Sequence, residues 1–189
     1  MVKTSIRVPI KVTVTATVVL LIFVGGSFLL PDRWNARAEI TIDVSQPKAI
    51  RDYLVQLNTW PQWTVWNPRE LPELEVSTPE GEGSEYRSEW NSDALGQVLV
   101  ELEPKSLVNE NEPIRYTMTF VGHDNRQLRG SFALTQTNDH CRVVWRQSGP
   151  LKSGIFSRWI GFVVVRWLAQ ADMEDSLASL QEHVERTGD

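Results

Sequence analysis

Between Tyr86 and Trp145 the chain places apolar residues at every second position, in short runs broken by turn-forming residues. Tyr86, Ser88 and Trp90 share one face of the first run. Val98, Val100 and Leu102 line the next, followed by Ile114, Tyr116, Met118 and Phe120. Leu128, Gly130, Phe132 and Leu134 come after, and then Cys141, Val143 and Trp145. A period of two is the mark of half-buried strands. Asn109-Glu110-Asn111, His123-Asp124-Asn125 and Asn138-Asp139 occupy the gaps as turns. The opposite faces carry Glu85, Arg87, Arg115, Thr117, Arg129, Arg142 and Arg146. One apolar and one polar face predicts an antiparallel sheet covered on one side only.

The cover is expected at the C-terminus. Residues 157–186 contain no proline, and Gly161 is their single glycine. At 100° per residue, Trp159, Phe162, Arg166, Met173, Leu177, Leu180 and Val184 fall on one stripe. The stretch predicts a helix of about thirty residues, roughly 45 Å long, lying across the sheet. Its last third is amphipathic, whereas residues 159–168 are apolar almost all round and too short to span a bilayer. That surplus must meet a partner, a membrane or a ligand. Ahead of the sheet, Ala38, Ile40, Ile42 and Val44 alternate with polar residues as a first strand. Residues 47–54 then read as a helix, with Ser45 as its cap. Residues 58–68 read as irregular, with Pro61 and Pro68 as breakers around Trp60, Trp63 and Trp66.

The first thirty residues are a separate object. Residues 12–30 carry no charge and would cover about 28 Å as a helix, close to the hydrocarbon core of a bilayer. Residues 1–31 are therefore expected to be a tail and a transmembrane anchor, with residues 32–189 forming one domain and Trp34 at the interface. Basic residues lean towards a cytoplasmic N-terminus, with the domain outside the cytoplasm. A cleaved signal peptide, cut at Ala36-Arg37-Ala38, is the rival reading. A buried soluble helix is a third, and no helical partner is evident after Pro31.

Beyond Leu30 there are sixteen basic residues against twenty-four acidic ones. An acidic body argues against nucleic acid as a partner, since phosphate backbones need clustered cations. The single cysteine, Cys141, excludes an internal disulfide and multi-cysteine metal motifs. His123, His140 and His183 lack a second His or Cys at chelating spacing, so no metal is expected. Neither a nucleophile elbow nor a phosphate-cradling glycine loop is present, so no cofactor and no catalytic residue is assigned. Asp172 and Asp175, one helical turn apart, read as a solvated helix face.

The order of these parts resembles the SRPBCC superfamily, the START/Bet v 1-like helix-grip fold, and within it the polyketide cyclase/dehydrase-like branch. The likeness rests on residues 40–44 leading to Pro47 and on Trp60-Pro61-Gln62-Trp63-Thr64-Val65-Trp66. Gly81-Glu82-Gly83, residues 130–134, Arg142-Val143-Val144-Trp145 and residues 172–180 complete it. It covers about residues 37–186. The resemblance implies an α+β fold, a curved antiparallel sheet wrapped around the long C-terminal helix, with an apolar cavity between them. It implies no particular reaction.

In such a fold the inner face would line a ligand pocket. Trp63, Trp66, Tyr86, Trp90, Tyr116, Met118, Phe132, Trp145, Phe162 and Arg166 are the expected lining. Singly, most of them would serve equally as core. Arg166, a cation on an apolar stripe, either reaches the surface on its aliphatic stem or meets a ligand's polar head. The function expected is membrane-anchored binding of a hydrophobic small molecule, such as a lipid, quinone or isoprenoid. Two alternatives stay open. One is a cyclase or dehydratase acting on a polyketide-like substrate, with Tyr86, Tyr116 and Arg166 as its polar groups. The other is a module that docks a membrane protein through the apolar start of the last helix.

Overall fold

The computed structural model describes residues 10–187, apart from 45–46, 123–124 and 152–153. The expected cap Ser45 and the turn residues His123 and Asp124 lie outside the described residues. The chain runs through helix α1 (Ile10–Leu29), strand β1 (Arg33–Ile42), and helices α2 (Pro47–Val55) and α3 (Trp60–Trp63). Strands β2 (Glu75–Ser77), β3 (Arg87–Ser92) and β4 (Gly96–Leu102) follow, then helix α4 (Lys105–Val108). Strands β5 (Ile114–Phe120), β6 (Arg126–Thr137) and β7 (His140–Pro150) complete the sheet. The C-terminal helix has two α-helical parts, α5 (Ile155–Ile160) and α6 (Arg166–Thr187), joined by a π-helical turn at Gly161–Val165.

All seven strands form one antiparallel sheet in the order β1-β7-β6-β5-β4-β3-β2. Sequential hairpins build most of it. Asn138, with φ of 52°, forms the two-residue turn that sets Thr137 opposite His140. The first strand begins at Arg33, five residues earlier than its strongest alternation suggested. Trp34, Ala36 and Ala38 are buried on the same face as Ile42, and β1 pairs with β7 from Arg33 opposite Pro150 to Ile42 opposite Cys141. Trp34, expected at a membrane interface, is therefore an inward-facing residue of the sheet.

Helix α6 packs mainly on β1, where the short side chains of Ala36 and Ala38 admit it. Met173, Leu177, Leu180 and Val184 are buried, as their shared stripe predicts. Trp159 and Phe162 are only half-buried and Arg166 is exposed. The π turn explains Trp159 and Phe162, because its wider winding rotates the residues at and before it out of phase with those after it. Arg166 follows the turn, in phase with Met173, and reaches solvent on its long aliphatic stem. The stretch 58–68 is also more ordered than expected. Pro61 sits in the first turn of α3, where its missing N–H costs nothing, and Trp60 donates its indole N–H to the Leu54 carbonyl at 2.9 Å. Val65 N–H, donating to Ser176 Oγ at 3.0 Å, ties the segment after α3 to α6.

Helix α1 does have a helical partner, α5. Arg158 donates to the Leu30 carbonyl at 3.1 Å and pairs with the Asp32 carboxylate, and the Trp159 ring lies against Gly26. Val18, Leu21, Ile22, Phe28 and Leu29 of α1 stay exposed. Several α1 side chains are outside the described residues, and among those described no helix is long and apolar enough to cross a membrane.

Candidate functional site

Two cavities adjoin where β1, β6 and β7 meet the start of the C-terminal helix. The larger, about 600 Å³, lies between Trp34, Phe120, Leu128, Leu151, Ile160 and Val165. The smaller, about 200 Å³, is walled by Trp66, Trp145, Leu168 and Met173. Trp34, Leu128 and Val165 belong to both and stand at the junction. Two glycines shape this cleft. Gly149 is paired with Trp34 in register, and a Cβ there would overlap Leu128 and come within 2.7 Å of the Trp34 indole nitrogen. At Gly161 a Cβ would fall 2.7 Å from Leu151 Cδ2, so glycine lets the π turn approach that side of the cleft.

Polar groups are few. Gln147 and Asp172 reach the smaller cavity, and Arg126 and Ser157 the larger. Burial in the cleft wall, and then the charge of Asp175, raises the Asp172 pKa above the usual carboxylate value. The side chain keeps access to water. Asp172 and Asp175 are both exposed, as the solvated helix face predicts, and the spacing alone gives no sign of the apolar wall beside Asp172.

The ten residues expected to line a pocket divide into distinct groups. Trp66 and Trp145 line the smaller cavity. Trp63 faces a separate groove beside Thr64, Asn67 and Asp175, and its buried indole N–H has no hydrogen-bond partner among the described residues. Trp90, Tyr116, Met118 and Phe132 are buried at 2% exposure or less, packed among other core side chains. Phe132 stands at the centre of the aromatic cluster, with ring centroids 5.7 Å from Trp60, 6.1 Å from Trp63, 5.6 Å from Tyr116 and 5.0 Å from Trp145. Tyr86 ends a 3-10 turn rather than lying on a strand, and borders a groove with Arg87 and Glu101. Phe162 is half-buried and outside both cavities of the cleft. Arg166 opens onto a third, cationic cleft.

Sequence reasoning missed Leu128 as a wall because its alternation marks it only as inward-facing. It missed Leu151, Ile160 and Val165 because their meeting depends on the path of the last helix. None of Tyr86, Tyr116 and Arg166, the groups on which a catalytic reading leaned, lines the apolar cleft. Tyr116 lies across Gly130, where any Cβ would overlap its ring, and its hydroxyl accepts hydrogen bonds from Trp145 Nε1 at 2.8 Å and Gln147 Nε2 at 3.3 Å.

Burial pushes the Tyr116 pKa well above 10, the indole and amide hydrogen bonds opposing it only in part, and burial also raises Tyr53. The folded chain thus keeps a proton that the unfolded chain gives up. Stability is intact below about pH 10, the unfolded value, and falls as the pH rises beyond it. In a titration followed at 295 nm, Tyr116 should stay un-ionised until the protein unfolds. Tyr116→Phe should leave the curve of the folded protein unchanged. A tyrosinate signal lost in that variant before unfolding would contradict the burial.

Cys141 is fully buried, and its thiol pKa is raised by that burial, which suits a core residue rather than a nucleophile. Among the described residues no group of three His, Cys, Asp or Glu side chains is placed to hold a metal ion.

Residues 33–185 match the family described as Polyketide cyclase / dehydrase and lipid transport. The chain belongs to this family. The seven-stranded antiparallel sheet and long C-terminal helix are its helix-grip architecture. Solved structures share the fold. A Thermus thermophilus protein is 22% identical with a TM-score of 0.55, over 82% of this chain and 99% of its own. A START superfamily protein from Mycobacterium smegmatis is 13% identical with a TM-score of 0.53, over 81% and 98%. A conserved protein from Geobacillus kaustophilus is 12% identical with a TM-score of 0.59, over 81% and 96%. No curated protein matches the sequence.

Proposed function

We propose that this family member binds a hydrophobic small molecule, of the lipid, quinone or isoprenoid class, in the cleft between sheet and C-terminal helix. The observation that carries the reading is the cavity of about 600 Å³ walled by Trp34, Phe120, Leu128, Leu151, Ile160 and Val165. Pockets of this size, mostly apolar with a few placed polar groups, are what small-molecule sites require. Arg126 and Asp172 are the groups that would meet a polar head.

In this reading residues 12–30 anchor the protein in a bilayer, with the N-terminus cytoplasmic and the domain outside. Three residues separate α1 from β1, and Arg158 ties the α1 end to α5, so the cleft would be held beside the membrane surface. The exposed side chains of Phe156, Ile160, Val163, Trp167 and Leu168 would face lipid there.

The test is native mass spectrometry of the full chain, purified in mild detergent, with organic extraction of whatever it releases. A stoichiometric apolar molecule is expected. Val165→Glu places a carboxylate where both cavities meet, at a position already exposed, and should reduce occupancy about tenfold or more, a loss of about 1.4 kcal/mol. An empty cleft that takes up no apolar dye would refute the proposal and favour a docking role for residues 159–168. Turnover of a bound molecule would favour the enzyme reading, with Asp172 as the acid to examine first.

A further inference from the structure

The third cleft, of about 600 Å³, has a different chemistry, and is lined by outward-facing side chains of β1, β5, β6 and β7 together with Arg166 and Gln170 of α6. Five arginines line it, Arg37, Arg115, Arg129, Arg146 and Arg166, and among the described residues no carboxylate belongs to its wall. This is unexpected in a protein of net charge −5. The register shows how it arises. Arg37 of β1 is opposite Arg146 of β7, Arg146 is opposite Ser131 of β6, and Ser131 is opposite Arg115 of β5. Three arginines thus occupy one row across four strands, and Arg129 sits in the next row between Ser148 and Thr117. Strands lie about 4.8 Å apart, so the row spans roughly 14 Å.

Like charges directly opposite one another destabilise a sheet. Glu39 offsets Arg37, and Glu103 lies 3.9 Å from Arg115. Among the described residues no carboxylate pairs with Arg129, Arg146 or Arg166. The cations of the row are all arginine, whose planar fork binds phosphate oxygens in a bidentate way that the point charge of lysine does not match. Ser131, Ser148 and Asn35 add neutral hydrogen-bonding groups between the cations.

We propose that this outer cleft is a binding site for a phosphate-bearing anion with more than one negative charge, gripped by Arg129 and Arg146 with Arg37, Arg115 and Arg166 around it. The site is distinct from the apolar cleft and does not depend on what that cleft holds. The same chemistry could be supplied by a free polyphosphate or by phospholipid headgroups, and the test separates them.

Full-length protein in a non-ionic detergent would be titrated at low ionic strength and about pH 8 with inorganic pyrophosphate and, separately, with dioctanoyl phosphatidic acid, whose phosphomonoester headgroup can carry a second negative charge. Saturable binding is expected, weakened about tenfold or more by Arg129→Gln and by Arg146→Gln, and weakened again by added salt. Both side chains are exposed, so the fold should survive, which circular dichroism would verify. Arg69→Gln, an exposed arginine outside the cleft, should bind as the parent does. Tighter binding of pyrophosphate would name a free phosphate as the source, and tighter binding of the lipid would name a headgroup. Absence of saturable binding to both probes, or binding indifferent to both cleft variants, would overturn the site.

Discussion

Phe132→Ala is expected to destabilise the protein by about 3–5 kcal/mol, the usual cost of truncating a fully buried phenylalanine. The residue is 0% exposed, and its ring meets those of Trp60, Trp63, Tyr116 and Trp145. These large, rigid rings cannot collapse into the space left behind without abandoning their edge-to-face and stacked geometry. The cavity term should therefore sit near the top of its range. Equilibrium unfolding in urea measures it directly. A loss below about 1.5 kcal/mol would mean that the cluster is loosely packed and serves as the floor of a ligand pocket rather than as core. The same variant should bind small aromatic molecules in the new void, as dry apolar cavities do.

Arg51→Met should cost about 3 kcal/mol, although Arg51 makes no ion pair among the described residues. The buried guanidinium, 7% exposed, donates to four carbonyls, those of Ser106, Asn109, Glu110 and Glu112, at 3.0–3.2 Å. Hydrogen bonds from a charged donor contribute about 1.5–3 kcal/mol each, and buried carbonyls left without donors cost about 1–3 kcal/mol, partly recovered as the loop opens to water. Arg51 thereby pins the α4 loop between β4 and β5 onto α2. Arg51→Lys should recover only part of the loss, because one ammonium cannot reach four acceptors in fixed directions. Chemical denaturation of the three proteins checks the order. Equal stability of the parent and Arg51→Met would show that the loop carbonyls find water at no cost.

Much of the architecture was legible in the chain. Alternation from Trp90 to Trp145 placed the strands on the correct faces, because a side-chain period of two is a property of the extended backbone and needs no tertiary information. The stripe of Met173, Leu177, Leu180 and Val184 was legible for the same reason, since an α-helix repeats its face every 3.6 residues. The reading failed where that period changes. The π turn at Gly161–Val165 moves Trp159 and Phe162 off the stripe, and no residue in that run signals it unambiguously. Arg51 was invisible as well: within α2 it looks like any solvated arginine until a loop more than fifty residues away folds over it.

The two clefts show where local sequence stops deciding. Trp34, Leu128, Leu151 and Val165 come from four separate segments, and only the closing of β1 onto β7 beneath the last helix brings them to one cavity. Arg37, Arg115, Arg129 and Arg146 could each be assigned to a polar face from alternation alone. That they become neighbours follows from strand order and register, which long-range pairing sets. The sequence by itself determined which side of each strand meets water and which meets the core, because that choice is made within a few residues by backbone geometry and side-chain polarity. Tertiary structure decided which of those faces stand together, because adjacency across a sheet is fixed by hydrogen-bond register between segments far apart in the chain.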